Sequence, residues 1–333
     1  MQGLKQAAAV AAALWAAIAF APAVQAQGDY PNKPIRIVVG FIPGSSADIT
    51  ARVLGNKLGQ ILGQSIVVEN KAGAGSSLAA EQVARSPSDG YTLFVASSAN
   101  ITNEAISPNI PVKIAKDFTP IALINNAAVI LVVHPSLGVN SLKELIELAK
   151  KKQDELSYAS TGVGTAPHLS GELFNMRNGT KLLHVPYQGS PQAATDLIAG
   201  RVGIMFSPAS AVVSQVQAGT LKVLASATAK RPGILPDVPT MAEQGFPGYQ
   251  VFAWCGLAAP AGTPDAVIAR WNAMVNEAMA DPGVARKIAN QDYEPRGGTT
   301  AAYVEYFSKD IEQYRRLVEA TIGVARRLRS VAH

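Results

Sequence analysis

The chain has 333 residues, a formal net charge of +5 at pH 7 and one cysteine. This length is enough for two ordinary domains, and a single cysteine excludes a fold held together by intramolecular disulfides. The basic residues are densest near the C-terminus, where Arg315 and Arg316 alternate with Glu312 and Glu319. Such mixing of charges is typical of a solvated helix face rather than of a nucleic-acid site. We therefore expect no nucleic-acid partner.

The N-terminal segment predicts export. Lys5 is the only charged residue before an Ala-rich apolar run, which ends in Val24-Gln25-Ala26. A charged start, a short apolar run and small residues at a cleavage position are the features of a secretory signal peptide. We predict that residues 1–26 are removed and that the mature protein begins at Gln27 in the periplasm; an uncleaved membrane anchor is the alternative.

Strand-like and helix-like patterns alternate along the mature chain, which predicts α/β units around largely parallel sheets. The pattern predicts strands over 35–39, 65–69, 91–96, 130–133, 156–160, 182–185, 202–206, 221–225 and 251–259. It predicts helices over 47–62, 77–85, 142–151, 168–178, 192–199, 209–218, 264–280 and 300–320. Proline-containing stretches around Pro120 and from Pro232 to Pro247 suit connectors between two lobes. Cys255 lies in an apolar run, so we expect a buried side chain rather than a reactive thiol.

Three predicted strand-to-helix turns are rich in glycine and serine. They cover residues 41–48, 72–77 and 160–165. Glycine allows a ligand to approach the backbone, and a helix N-terminus presents unpaired N–H groups with a partial positive charge. In open α/β sheets, ligands bind beyond the carboxyl ends of the strands. Each turn alone is better explained as an ordinary turn with a Ser or Thr cap, but three of them at the same strand-end position together predict an anion site.

The sequence offers little for nucleotide binding, hydrolysis or metal binding. Gly73-x-Gly75 and Gly162-x-Gly164 lack the third glycine of a dinucleotide motif, and no Walker loop is present. Ser160, His168, His184 and Asp196 supply the residue types of a catalytic triad without its spacing, and there is no Gly-x-Ser-x-Gly elbow. The four histidines and the cysteine show no metal-ligand spacing. We expect no cofactor, no metal and no catalytic residue.

Over nearly all of its mature length, the chain resembles the receptors of tripartite tricarboxylate transporters, the Bug-type extracytoplasmic solute receptors. The resemblance is carried by a series of short motifs in a fixed order: Tyr30-Pro31-x-Lys33-Pro34-Ile35-Arg36, Val67-Val68-Glu69-Asn70-Lys71-x-Gly73-Ala74-Gly75, Ser88-Asp89-Gly90-Tyr91, Asp117-Phe118-Thr119-Pro120, Tyr158-Ala159-Ser160-Thr161-Gly162-Val163-Gly164-Thr165, His184-Val185-Pro186-Tyr187 and Leu235-Pro236-Asp237-Val238-Pro239-Thr240.

The resemblance implies a type II periplasmic-binding-protein-like α/β fold, in which two lobes are joined by a hinge and the ligand cleft lies between them. It assigns residues 27–125 and 250–333 to the first lobe and residues 126–249 to an inserted second lobe. It implies a monomeric periplasmic receptor, not an enzyme, that captures a small carboxylate and delivers it to the membrane subunits of a tripartite tricarboxylate-type transporter. An orphan carboxylate sensor and a carboxylate-processing enzyme are the alternatives.

The resemblance also implies which residues surround the ligand. They belong to the three turns, to the helix that follows the third turn and to two strand ends: Pro43, Gly44, Ser45, Ser46, Asp48, Ala74, Gly75, Ser76, Ser77, Ser160, Gly162, Val163, Gly164, Thr165, His168, Tyr187 and Ser207. Asp48 is expected to brace its own loop, because a carboxylate repels an anion. Family members often have a second glycine in place of Ser45 and an aspartate in place of Ser207. Without that aspartate an ammonium group lacks a counter-ion, so we expect an aliphatic or aromatic mono- or dicarboxylate rather than an amino acid.

Overall fold

A computed structural model describes residues 30–107, 109–290 and 293–323. The fold below is that of the compact unit that begins at Lys33. The predicted signal peptide lies outside the described residues. Among the helices of the described residues, none has both the length and the hydrophobicity needed to cross a membrane.

Strands and helices alternate through most of the chain. The strands are β1 (Ile35–Val39), β2 (Ile66–Asn70), β3 (Thr92–Ser97), β4 (Phe118–Val133), β5 (Ser157–Ser160), β6 (Leu183–Pro186), β7 (Ile204–Pro208), β8 (Lys222–Ser226), β9 (Phe252–Pro260) and β10 (Tyr293–Pro295). The helices are α1 (Ser46–Leu62), α2 (Ser77–Ala84), α3 (Ser98–Ile106), α4 (Ile114–Asp117), α5 (Leu142–Lys151), α6 (Ala166–Asn178), α7 (Ser190–Ile198), α8 (Val213–Gln217), α9 (Asp265–Ala280), α10 (Pro282–Ala289) and α11 (Thr300–Val318).

The predicted elements are present, with several differences. Helices α3, α4 and α10 and strand β10 were not predicted. The helix predicted over 209–218 is a 3-10 turn (Ala209–Ala211) followed by the short α8. Strand β4 begins twelve residues before the predicted start at 130. Its first part contains Pro120 and two consecutive asparagines, which resemble a loop in sequence. In the structure these residues pair with β9.

The first sheet joins the N-terminal and C-terminal thirds of the chain. Its strand order is β2-β1-β3-β9-β4, with β10 also paired to β4. Strand β1 runs parallel to β2 and β3, whereas β9 runs antiparallel to both β3 and β4. The sheet is therefore mixed, because β9 returns to it from the far end of the chain, and the expectation of largely parallel sheets needs this correction.

The second sheet contains the middle of the chain and shares β4 with the first. Residues 118–128 of β4 pair with β9, and Val129–Val133 pair with β7 and β8. Strand β5 lies parallel between β6 and β7. The chain returns to the first sheet where Val251 N donates to Ala227 O at 2.9 Å, and Ala227 N donates to Val129 O at 2.8 Å. Two adjacent crossings therefore connect the sheets.

The first sheet is covered on both faces, which explains its continuous apolar strands. Ile37 of β1 packs in one cluster with Leu54 of α1 and Trp271 of α9. The next residue, Val38, points to the opposite face and packs with Val83 of α2, as the twofold period of a strand requires. The helices on both faces fix the strand ends, from which the loops described below extend.

Candidate functional site

A cleft with an empty volume of about 520 Å³, part of it open to solvent, lies where loops of the two sheets meet. Its wall combines small apolar side chains with hydroxyl groups. The lining residues are Phe41, Ser45, Ser46, Ala47, Ser97, Ser98, Ala99, Asn125, Ala127, Thr161, Thr165, Ala166, Pro167, Gly189, Ser190, Pro208, Ala253, Trp254 and Cys255. Both sheets contribute to this wall, since β3 and β9 belong to the first sheet and β7 to the second.

Four helices of the described chain begin at this cleft. Helices α1 and α3 start from the first sheet, and α6 and α7 start from the second. No side-chain cap bonds to the N-terminus of α6 or α7. Pro167 and Pro191 have no N–H, but the other first-turn N–H groups of these two helices have no side-chain cap and remain for another acceptor. The helix dipoles favour a negative charge there.

The cleft wall carries no ionisable acid or base apart from the Cys255 thiol. Burial raises the pKa of that thiol to about 12, so it is uncharged. The polar side-chain groups are hydroxyls, one amide and the indole N–H of Trp254, which donates to Asp310. The hydroxyls and the amide belong to Ser45, Ser46, Ser97, Ser98, Asn125, Thr161, Thr165 and Ser190. Within the described residues, no cluster of histidine, cysteine and acidic side chains could hold a metal ion. The arrangement suits an anion held by neutral donors and helix N-termini, as in other helix-terminus anion sites.

The first loop, residues 41–48, is braced by charged and polar side chains around Asp48. Gly44 N and Asn70 Nδ2 each donate to the Asp48 carboxylate at 2.9 Å, and Arg52 Nε donates to it at 3.0 Å. Burial alone would raise the pKa of Asp48, but the bonds from Arg52, Gly44 and Asn70 outweigh it and lower that pKa. The carboxylate thus braces its own loop, as expected, and its charge is compensated.

The third loop, residues 160–165, is braced by neutral side chains instead. Gly164 N donates to His168 Nδ1 at 3.1 Å, and the His168 ring stacks on His184 with centroids 4.1 Å apart. Burial lowers the pKa of His168 to about 4. Burial, with the neighbouring His168, lowers the pKa of His184 to about 3. Both rings are therefore neutral near pH 7.

Ser160 and His184 form a hydrogen bond, with 2.7 Å between Ser160 Oγ and His184 Nε2. Ser160 is fully buried and does not line the cleft, and its Oγ also accepts the N–H of Gly162 at 3.1 Å. Asp196 does not join them, because it accepts from Tyr187 Oη and pairs with Arg201. The arrangement supports the loop and lacks the geometry of a triad, in which an acid orients the base.

The second loop, residues 72–77, lies beside the third loop rather than in the cleft wall. Asn103 of α3 donates from Nδ2 to Ala74 O at 3.1 Å and to Gly75 O at 2.7 Å. A Cβ on Gly164 would lie 2.0 Å from Asn103 Oδ1. Asn103 therefore fills the space between the two loops, and together with Ala74, Ser77 and Val163 it lines a separate hollow.

Of the residues predicted to surround the ligand, Ser45, Ser46 and Thr165 line the cleft. Asp48, Ser160, Gly162, Gly164 and His168 lie in the networks that brace the first and third loops. Pro43 and Gly44 are exposed. Tyr187 Oη donates to Asp196 at 2.9 Å, and the buried Ser207 Oγ donates to Pro208 O at 2.9 Å. Ligand contact by the predicted residues outside the lining stays a prediction.

Several cleft residues were missing from the predicted set, namely Phe41, Ser97, Ser98, Asn125, Thr161, Gly189, Ser190 and Trp254. The start of α3 has a recognisable signal, since the Ser97 side chain and Asn100 form a reciprocal cap. The start of α7 has another, because Pro191 occupies its first turn. No local pattern marks Asn125 or Trp254, which reach the cleft through the pairing of β4 with β9. The prediction that Cys255 is buried is confirmed, at 8% exposure.

Several known proteins are similar to this chain in fold and sequence. Residues 50–323 match the model of the tripartite tricarboxylate transporter family receptor. Protein BugT of Bordetella pertussis is 35% identical over 294 residues, which are 88% of this chain and 90% of BugT. Two solved Rhodopseudomonas palustris proteins superpose over 87% of this chain. Rpa4515 with adipate has a TM-score of 0.84, 32% identity and 98% coverage of its own chain. MatC with bound malate has a TM-score of 0.81, 31% identity and 100% coverage of its own chain.

The family match covers most of the described chain, and the similar structures extend over almost their whole length. The fold is accordingly that of the periplasmic solute-binding proteins. The α/β lobes, the cleft at their strand ends and the sequence similarity lead to one conclusion: the chain belongs to the tripartite tricarboxylate transporter receptor family.

Proposed function

We propose that this protein is a periplasmic receptor that captures a small carboxylate and delivers it to the membrane subunits of a tripartite tricarboxylate-type transporter. One observation carries the proposal: four helices begin at a cleft whose wall has no anionic or cationic side chain. A carboxylate satisfies first-turn N–H groups without requiring a buried arginine. The adipate and malate held by the similar structures support the same ligand class.

The proposed mechanism of capture is a hinge motion that closes two lobes on the ligand. The first lobe consists of residues 27–125 and 250–333, and the second of residues 126–249. Contacts across the cleft support a closed arrangement in the present structure. Ser46 Oγ of the first lobe lies 3.3 Å from Ser210 Oγ of the second. A Cβ on Gly189 would lie 2.8 Å from Ile42, so that glycine permits close approach. Adjacent crossings at Ala128–Val129 and Ala227–Val251 would serve as the hinge.

The same lining argues against amino acids as ligands. An ammonium group buried in this cleft would have no carboxylate partner, since Asp48 is already bonded to Arg52 and Asn70. Burial of an unpaired charge is costly. The apolar part of the wall, including Phe41, Ala127 and Trp254, suits the carbon chain or ring of a mono- or dicarboxylate.

A thermal-unfolding screen tests ligand class. Protein beginning at Gln27 is unfolded and refolded to remove bound solute, then mixed with mono-, di- and aromatic carboxylates and with amino acids. A ligand at a hundred times its Kd adds about 2.7 kcal/mol to the free energy of unfolding. A carboxylate should raise the unfolding temperature, and NMR of the recovered ligand should show it unchanged. Stabilisation by amino acids alone, or conversion of the ligand, would contradict the proposal.

Delivery to a transporter is tested in cells. Deletion of the gene should abolish uptake of the isotopically labelled acid identified in the screen, and a copy encoding the intact chain should restore it. Normal uptake combined with a lost transcriptional response to the acid would instead indicate a sensor. Light scattering of the purified protein checks the proposed monomer.

A further inference from the structure

Asn125 is the amide side chain in the cleft wall, and its hydrogen bonding is incomplete. It lies in β4 beside a change of register with β9, opposite Cys255. Its side chain is fully buried, and Oδ1 has no hydrogen-bond partner. A buried amide oxygen without a hydrogen-bond partner destabilises the folded protein, so the unpaired Oδ1 of Asn125 requires an explanation.

Thr50 of α1 supplies the remaining contact. The Asn125 amide and the Thr50 hydroxyl are joined by a hydrogen bond of 2.9 Å, in which Nδ2 donates to Oγ1. Thr50 is itself 1% exposed. A hydroxyl either donates or accepts, and a half-turn of an amide exchanges its oxygen and nitrogen at nearly the same positions. The pair therefore has two arrangements.

The two arrangements suit different surroundings. In the first, the Thr50 hydroxyl accepts a hydrogen bond from Asn125 Nδ2, and the amide oxygen of Asn125 has no partner. In the second, Thr50 donates to Oδ1, and both N–H groups of Asn125 become available. Only the second leaves both N–H groups of Asn125 for a ligand, since the first uses one of them on Thr50, and a carboxylate is an acceptor in every direction. An anion in the cleft would thus select the second arrangement.

We propose that Asn125 binds a carboxylate oxygen of the ligand through its amide N–H groups and that Thr50 positions the amide. This inference rests on the proposed function. The site takes an anionic oxygen rather than an ammonium group, which has no acceptor and would require the Asn125 oxygen as its partner. Thr50 lies one turn after Ser46 in α1, so the same helix would offer the ligand its N-terminus and orient the amide.

The first test removes both polar groups together. The double variant T50V/N125L replaces a buried polar pair by apolar side chains of similar shape, which is close to neutral for folding. Titration calorimetry uses whichever of adipate, malate, succinate or benzoate binds the wild type most tightly. The variant should keep its unfolding temperature without ligand and bind about ten- to a hundredfold more weakly, the usual effect of losing hydrogen bonds to a charged acceptor. Binding within twofold of wild type would overturn the inference and leave the proposed function intact.

The second test distinguishes donor from acceptor and does not depend on the double variant folding. Asn125→Asp at pH 8.5 keeps the shape and replaces the N–H donors by an anionic oxygen. The affinity for the same carboxylate should fall by more than about a hundredfold. Asn126→Asp is the matched control, because Asn126 is the next residue of β4 and lies outside the cleft wall; it should bind nearly as wild type. Retained binding by Asn125→Asp would overturn the inference, and no binding by wild type to any of the four acids would overturn the proposed function as well.

Discussion

The first and third loops perform the same task by different physical means. Each brings the start of a helix to the cleft, α1 in one case and α6 in the other. The first loop is held by a buried carboxylate with a cationic partner, Asp48 with Arg52. The third is held by two stacked neutral histidines and by glycines that leave space for Asn103. An anion site can thus be braced by charge or by close packing, and the two kinds of brace should fail under different conditions.

The largest effect is expected from a methyl group in the third loop. Gly44 and Gly164 have almost the same φ, 76° and 81°. A Cβ on Gly44 would meet its nearest atom, in Pro191, at 3.7 Å, whereas a Cβ on Gly164 would lie 2.0 Å from Asn103 Oδ1. Both alanine variants incur the left-handed strain of about 1–2 kcal/mol. Gly164→Ala should lose about 1–3 kcal/mol more through overpacking.

Chemical denaturation of the two variants measures this difference, with Gly44→Ala as the control for backbone strain. Gly164→Ala should also weaken carboxylate binding, because the displaced loop carries Thr165 and the start of α6. Equal loss of stability in both variants would show that packing against Asn103 contributes nothing to the third loop.

The second effect is a pH dependence confined to the third loop. The pKa values of His168 and His184 are lowered from 6.5 to about 4 and about 3, so the unfolded chain binds more protons below pH 6.5. The stabilisation from the neutral rings is complete above pH 6.5 and is lost as the pH falls toward the folded pKa values, by about 2 kcal/mol per histidine at pH 5.

The measurement compares wild type with H168Q/H184Q in urea between pH 8 and 5. Burial raises the pKa of Asp310 to about 7, which acts in the opposite direction, but this contribution is common to both proteins and cancels in the difference. The stability advantage of wild type over the variant should shrink as the solution is acidified. A difference that stays constant from pH 8 to 5 would contradict neutral bracing.

The smallest effect concerns the first loop. Asp48→Asn keeps the shape of the brace but weakens bonds to Arg52 and to the Gly44 N–H, and should cost about 1.5–3 kcal/mol. Glu305 and Lys309 form an ion pair with the same four-residue spacing on an exposed helix face. Glu305→Gln is therefore the control, with an expected loss of at most about 0.5 kcal/mol. Similar losses in the two variants would show that burial adds nothing to the Asp48 brace.

The sequence predicts more of the fold than of the cleft. The strands and helices of the two sheets follow from apolar periodicity, and the bracing role of Asp48 follows from charge. Asn125 could not be recognised from the sequence as a cleft residue, because two consecutive asparagines are typical of a turn. Only the pairing with β9 shows that they belong to a strand. The second loop was expected at the ligand from its glycines and serines and from the family resemblance. Asn103 of the unpredicted α3 lies between it and the third loop, and ligand contact by its residues stays a prediction. Local patterns identify loops, but the packing of distant elements decides which of them line the cleft.

The central claim is that helix N-termini and neutral donors hold a negatively charged oxygen. Titration calorimetry with a carboxylate and its primary amide, such as adipate and adipamide, tests it most directly because the two molecules have nearly the same shape. The account predicts that the carboxylate found in the unfolding screen binds and that its amide binds at least about a hundredfold more weakly, through loss of the charged hydrogen bonds. Equal affinities for the acid and the amide would contradict it.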